Sequence, residues 1–354
     1  MAFELWNKQI QEGSAKKDFL KILLICDFNI AGHYTYLMRA INKYSPYRAR
    51  CIIWHDDQFK FDKDIILDEL QGKSYDEPAQ LAHEADFYIF GRYIFNFPGV
   101  DFAAENLVGR TNAFIKYHGS FLRDNGGQLR QYHLENDVFA VAGCDWTATG
   151  RLAGCFYHIQ SYFCEFSDNA APSVIPDSAA LTYQVGETLK VIAGSGGHPL
   201  KGYDFLKQTV DRLKKEGSNI ELNVYTGLTH EKFIEKKKEC HVCFTSMHGG
   251  WGLSGVESMW MGQPVMCGVD PWMLTLYPDV PVIPIELSTL GQTLLSFIHN
   301  PEDVRAIGAE GRKWVKRHFG TKTTLLRYLY LIDLIRGRDE YLEGVRKSPR
   351  IYDF

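Results

Sequence analysis

Short apolar runs alternate with longer amphipathic stretches along this chain. LKILLIC (20–26) is continuously apolar, as a strand covered on both faces should be. It runs into DFNIAGHYTYLMRAINKY. That segment reads as a turn at Gly32 followed by a helix with Tyr36, Leu37, Ala40 and Ile41 at helical spacing. RCIIW (50–54), DFYIF (86–90), AFIKY (113–117) and VFAVAG (138–143) are the next predicted strands, with loops or helical stretches between them. Strands alternating with helices predict a parallel sheet with right-handed crossovers.

From about 164 to 188 the pattern lapses into CEFSDNAAPSVIPDSAALTYQVGET, with two prolines and scattered small and polar residues. The same grammar then restarts. LKVIAGS (189–195) is a strand ending in glycine. GYDFLKQTVDRLKKEG (202–217) is an amphipathic helix with Phe205, Leu206, Val210 and Leu213 on one face. IELNVYTG, HVCFTS, QPVMCG and PVIPI follow as strands. THEKFIEKKKE is a polar helix, and GLSGVESMWMG (252–262) is a second helical segment. Three helices finish the chain: LGQTLLSFIHN, PEDVRAIGAEGRKWVKRHF and TKTTLLRYLYLIDLI. The expected division is an N-terminal Rossmann-like domain over 1–175, a C-terminal one over 176–335, and a tail over 336–354 that packs back on the first. Ligands of doubly wound sheets bind at the carboxyl ends of the strands, so chemistry is expected in the loops there.

Composition narrows the class. The 354 residues are 45% hydrophobic and 23% charged, enough apolar material for two cores. A net charge of −4 counts against a protein that grips nucleic acid chiefly through charge. No apolar run reaches the roughly 18 residues a membrane span needs, and the polar start lacks a signal-peptide core, so the expected location is cytoplasmic. Eight scattered cysteines, several in strand-like runs, read as reduced and structural. Cys240 and Cys243 form one C-x-x-C with no second pair beside it, a poor basis for zinc.

The most informative stretch is SMHGGWGLSGVESMWMGQPVM (246–266). Gly249, Gly250, Gly252 and Gly255 lie just before and at the start of a helix. Backbone amides can come close to a ligand there, and the helix N-terminus favours a phosphate. Glu257 follows within the first turns, within reach of a ribose diol. The alternative is a tight strand-to-helix turn with Glu257 as a solvated helix residue.

This stretch resembles the donor-binding signature of retaining GT-B glycosyltransferases of the glycogen-synthase-like, family-four type. That signature reads E-G-F-G-L-x-x-x-E-x-M-x-x-G-x-P-V, and the spacing matches without a gap. Gly249 stands where the family usually has its first glutamate, which faces the transferred sugar. Gly250 and Trp251 take the next two positions. Gly252, Leu253 and Ser254 fall on the loop whose amides meet the diphosphate, and Glu257 on the glutamate that holds the ribose. GSGGHPLKGYDFL resembles a second segment of the family. Lys201 falls there on the lysine that neutralises the diphosphate, Ser195 replaces the usual arginine, and His198 lies nearby. IGAEGRKWVKRHF (307–319) resembles the family's C-terminal end.

The resemblance is good over about 189–335 and loose before it. In the first half it points to Gly32 in a loop beside the diphosphate, and to His118, after the strand AFIKY, near the transferred sugar. Arg123 and Asp124, in the apparent loop LRDNGG, are candidates for the acceptor side, and the aromatic run at 87–97 for an acceptor pocket.

The resemblance implies an α/β chain of the GT-B class, two Rossmann-like doubly wound domains facing each other across a cleft. It implies sugar transfer with retention from a nucleotide-sugar co-substrate, a UDP- or GDP-sugar, to a hydroxyl on a glycan, lipid-linked or other acceptor. Lys201, His118 and Glu257 would be the catalytic set, with no metal or further cofactor. Lys201, the amides at 252–254 and the helix dipole would meet the leaving charge. It also predicts that Lys201→Ala and Glu257→Ala each weaken donor binding without unfolding the protein. Two alternatives stand beside this reading. One is a phage-type DNA-base glycosyltransferase, permitted by the basic segments RLKK and EKFIEKKK. The other is a non-catalytic sugar-nucleotide or glycan-binding protein. A nicotinamide dehydrogenase is disfavoured, since neither half has G-x-G-x-x-G after its first strand.

Overall fold

The computed structural model describes residues 20–29, 32–56, 61, 63–71, 73–142, 157–158, 177–194, 201–247, 250–269 and 271–337; for 119–124, 126, 127, 157, 158 and 272 it describes the backbone. The chain forms two compact units, Met1–Phe163 with Thr321–Phe354, and Cys164–Gly320.

The first unit begins with β1 (Lys21–Phe28), α1 (His33–Tyr44), β2 (Arg48–His55), β3 (Ile65–Ile66), α2 (Asp76–Glu84) and β4 (Phe87–Gly91). It continues with β5 (Ala113–Tyr117), α3 (Gly119–Glu135), β6 (Phe139–Ala142) and β7 (Tyr157–His158). The strands order as β3-β2-β1-β4-β5-β6-β7, all pairings parallel. Central strands of such a sheet are covered on both faces, which is why β1 and β4 are apolar through their middles and β5 is interrupted only by the buried Lys116. Leu23, Ile25, Ile52, Tyr88, Phe90 and Ile115 join one core cluster.

LRDNGG is not a loop: it lies inside α3, which runs unbroken over Gly119–Glu135. Two mid-helix glycines cost about 1 kcal/mol each against alanine. Tertiary contacts further along the helix hold it regardless: Leu129 is buried, and the Tyr132 hydroxyl accepts from the Ile94 amide at 2.9 Å.

The second unit runs β8 (Leu189–Gly194), α4 (Tyr203–Lys215), β9 (Ile220–Tyr225), α5 (His230–Lys238), β10 (Val242–Ser246), α6 (Gly252–Trp260) and β11 (Val265–Cys267). Then come α7 (Pro271–Leu276), β12 (Ile283–Pro284), α8 (Leu290–His299) and α9 (Pro301–Phe319). The order is β12-β11-β10-β8-β9, again all parallel. Leu206, Val210 and Leu213 of α4 are buried as their spacing predicts, whereas Phe205 is 49% exposed. The α9 helix passes so close to the end of α6 that a Cβ at Gly308 would lie 2.0 Å from the Gly262 carbonyl oxygen.

The last helix, α10 (Thr321–Ile335), belongs to the first unit, not to the second with which its position in the chain groups it. It packs on α1 and buries Tyr328, Leu329, Leu331 and Ile332 there, and the Tyr47 hydroxyl donates to Asp333 Oδ1 at 3.4 Å. An apolar helix fits either core by pattern alone. Residues 338–354, most of the expected tail, lie outside the described residues. Among those described, no helix is long and apolar enough to cross a membrane.

Candidate functional site

In the second unit the chain leaves β8 to one side for β9 and then crosses to β10 on the other. The strand order therefore reverses between β8 and β10. A ligand crevice is expected at the carboxyl ends of those two strands. Ser195, His198 and Gly249 lie outside the described residues. The flanking ones are closely tied. The Met247 amide donates to the Lys201 carbonyl at 2.9 Å, joining the loop after β8 to the loop after β10. Gly202 sits beside this bond with φ +75°, and a Cβ there would lie 2.2 Å from Met247 Cγ. Lys201 is half-buried, and the resulting desolvation lowers its pKa. An ammonium short of hydration gains most when an anion arrives.

The Gly250 amide donates to the Gly268 carbonyl at 2.9 Å, and its own carbonyl accepts from the hydroxyls of Thr245 and Ser246. These bonds fix the loop before α6. Trp251 occupies the N-cap of α6 without a side-chain cap bond, so the amides of Gly252, Leu253 and Ser254 head a helix that no side chain caps. Such an end is suited to a phosphate. The Trp251 indole itself is fully buried against Tyr277 and Trp314. Its place in the predicted donor set therefore rests on its backbone, not its ring.

Glu257 is not a solvated helix residue: it is 4% exposed. Its Oε2 accepts from Lys237 Nζ at 3.0 Å, and its Oε1 lies 2.6 Å from His230 Nε2. Lys237, with no exposed side-chain surface, also donates to the Ser254 carbonyl at 2.6 Å. Burial alone would raise the Glu257 pKa. The charges of Lys237 and His230, with their hydrogen bonds, outweigh it and hold the pKa to about 2. The Gln263 side chain donates to the carbonyls of Lys237 and Cys240, at 2.7 Å each, and pins the end of α5.

Lys237 and His230 are absent from the sequence-derived set because THEKFIEKKKE reads as a polar, solvated helix. One signal was present: Lys237 stands four residues after Phe233, on the face α5 buries, and its Nζ lies 5.2 Å from that ring's centroid.

In the first unit the strand order reverses between β1 and β4. Gly32 forms the N-cap of α1 with φ +70°, and a Cβ there would lie 2.7 Å from Phe61 Cδ1. The turn alone accounts for its glycine. His118 follows β5 as the N-cap residue of α3, its ring centroid 5.0 Å from that of His33 and its buried Nε2 lacking a hydrogen-bond partner. Burial first, then the positive charges of Lys116 and Arg92, push its pKa well down. His33 Nε2 lies 3.0 Å from Lys116 Nζ and 2.8 Å from the Tyr328 hydroxyl, and Lys116 also bonds that hydroxyl. The buried Tyr34 hydroxyl has no partner and faces Gly91, where a Cβ would lie 2.6 Å from it. Arg92 follows with φ +72°, rare outside glycine, and pairs with Asp27 at 2.6 Å. His118 thus belongs to a polar cluster at the carboxyl-terminal edge of its sheet. Arg123 and Asp124 lie in α3, their side chains outside the described residues. Of the aromatic run at 87–97, Phe87, Tyr88 and Phe90 are core, while Tyr93 is 38% exposed.

No family model matches the chain, and no curated protein does. Solved structures do. HepE from Anabaena, in complex with UDP and glucose, superposes with a TM-score of 0.60 at 16% identity, over 89% of this chain and 99% of that one. An alpha-glucosyltransferase in complex with UDP and a 13-mer DNA containing a HMU base gives 0.59 at 9% identity, over 89% and 100%. Sucrose-phosphate synthase from Thermosynechococcus elongatus gives 0.54 at 14% identity, over 90% and 100%. At these identities the shared property is the fold, and the chain has the α/β, GT-B fold of these glycosyltransferases.

Proposed function

We propose that this protein is a glycosyltransferase that moves a sugar from a nucleoside-diphosphate donor to a hydroxyl acceptor. The observation that carries the reading is the convergence at the β8/β10 switch point of Lys201, the uncapped amides at 252–254 and the α6 turn that carries Glu257. The fold supports it, and two chains of that fold are complexes with UDP. The diphosphate of the donor sits on the α6 amides and Lys201, and the ribose lies along α6 toward Glu257. As the glycosidic bond breaks, charge grows on the departing diphosphate. Lys201 and the helix end are already in place to meet it, so no reorganisation is needed at that moment. The reaction retains configuration, with the acceptor hydroxyl deprotonated at the leaving phosphate. Among the described residues no group of three or more His, Cys, Asp or Glu side chains is placed to hold a metal ion.

The acceptor is a glycan, lipid-linked or other hydroxyl compound, a glycan in the first instance. The net charge of −4 favours this over a DNA acceptor. A thermal-shift series with UDP, GDP, ADP, CDP and their sugars tests the donor. A nucleotide at a hundred times its Kd adds roughly 2.7 kcal/mol of stability. A shift with one nucleotide, lost in Lys201→Ala, supports the reading; no shift with any of them refutes it.

A further inference from the structure

The loop that leads into α6 is built to come close to a ligand more than to hold itself in place. Gly250 and Gly252 take φ of +80° and +55°, conformations open to glycine, and no side chain caps the helix they lead into. The bonds made by Gly250 fix the loop up to that residue. The amides at 252–254 lie beyond it. The buried Trp251 ring anchors the start of the helix, and a second tie comes from α5.

That tie is Lys237. Its ammonium donates to the Ser254 carbonyl at 2.6 Å and to Glu257 Oε2 at 3.0 Å, so both acceptors lie in the first two turns of α6. Ser254 also carries the last of the three head amides, and a bond to its carbonyl from a charged donor is among the stronger kinds. The backbone of Lys237 is tied to α6 as well. Gln263 Nε2 donates to the Lys237 carbonyl at 2.7 Å, and the Gln263 amide donates to the Ser258 carbonyl at 2.8 Å. The Lys237 side chain has no exposed surface. An ammonium buried so fully is costly to desolvate, and replacing such a pair by apolar side chains is often neutral or stabilising. Its presence is better accounted for by what it holds than by stability.

We infer that Lys237 is a positioning residue for the diphosphate of the donor. It touches no ligand; it holds the first turn of α6 so that the amides at 252–254 stand where the diphosphate meets them. Glu257 is the counter-ion that keeps the ammonium against the Ser254 carbonyl. The inference rests on the nucleoside-diphosphate reading of the site and adds a residue to it from the interior. Donors fixed before the charge arrives need no reorganisation when it does, which is what a glycine-rich approach to a helix end cannot supply by itself.

The test uses the whole chain and whichever of UDP, GDP or ADP binds it, with Kd read by calorimetry. Glu257→Gln, whose amide oxygen can still accept from Lys237, is the reference. Lys237→Met combined with Glu257→Gln is the test, and the two proteins differ only at 237. The loss of one charge-assisted hydrogen bond corresponds to about a tenfold rise in Kd, which is the expected difference. Hydrogen exchange separates a local effect from a general one: faster exchange is expected at Gly255–Ser258, with β8 and β10 unchanged. Where the reference does not fold, Lys237→Met with Glu257→Leu is compared with the wild type using inorganic pyrophosphate, which has no ribose to meet residue 257, and the same loss is expected. Equal affinity, faster exchange throughout the second unit, or a wild type that binds the nucleotide but in this arm no pyrophosphate overturns the inference while the donor reading stands. If no nucleoside diphosphate binds the wild type, the donor reading fails and takes the inference with it.

Discussion

Lys237 Nζ and Glu257 Oε2 lie 3.0 Å apart with almost no solvent access, an ion pair between α5 and α6 inside the second unit. Removing one partner of such a pair strands the other as an uncompensated buried charge. Glu257→Ala is therefore expected to destabilise the unit by roughly 3–5 kcal/mol. This runs against the expectation from the sequence that the substitution weakens donor binding without unfolding the protein. Lys237→Met combined with Glu257→Leu removes both charges. Denaturant unfolding is expected to show the double variant more stable than Glu257→Ala. The reverse order would mean that the pair is not a unit.

The same carboxylate predicts an acid limb. Its pKa is about 2 in the folded protein against 4.5 as the ordinary value. A depressed carboxylate gives stability that is fully present above pH 4.5 and is lost as the pH falls toward 2. The magnitude is on the order of 3 kcal/mol. Chemical denaturation of the wild type at intervals from pH 6 to pH 3 is expected to show declining stability, with a shallower decline in the double variant. Parallel declines would assign the acid sensitivity to other groups.

How much of this was legible in the chain differs by level. The largely apolar runs of β1, β4, β5, β8 and β10 placed both parallel sheets, because a strand covered on both faces has little alternative to such a pattern. The glycines before α6 located the loop at the switch point. The burial of Glu257 was not legible, because its partners come from α5, whose sequence is dominated by lysine and glutamate. One of those lysines turns inward, and only the packing of α5 on α6 decides which. The ring of Trp251 was likewise unreadable, since its partners Tyr277 and Trp314 lie 26 and 63 residues away in sequence. The assignment of α10 to the first unit depended on Tyr328 meeting His33 and Lys116, which no local pattern encodes.

Gly308 offers a prediction independent of the site. A Cβ there would lie 2.0 Å from the Gly262 carbonyl oxygen, and backbone cannot yield as a side chain can. Gly308→Ala forces α9 away from α6 and is expected to cost at least the roughly 1–3 kcal/mol typical of overpacking, despite the better helix propensity of alanine. A thermal midpoint equal to or above that of the wild type would show that the helices are not in this contact.

His118 supplies the last prediction. Burial and the charges of Lys116 and Arg92 push its pKa well below 6.5, so the imidazole stays neutral through the neutral range. A base with a depressed folded pKa binds protons more readily when unfolded. Its contribution to stability is therefore complete above pH 6.5 and is lost as the pH falls from there toward the folded pKa. His83 behaves oppositely, since its bond to Glu105 raises its pKa. In an NMR titration from pH 8 to pH 6 the His83 ring signals are expected to move and those of His118 to stay fixed, each assigned by its own His→Gln variant. If His118 functions as the neutral partner of a sugar hydroxyl, His118→Ala lowers the transfer rate by a similar factor at pH 6.5 and pH 8. A loss confined to one end of that range would mean that the group acts through its charge, against the surroundings the fold gives it.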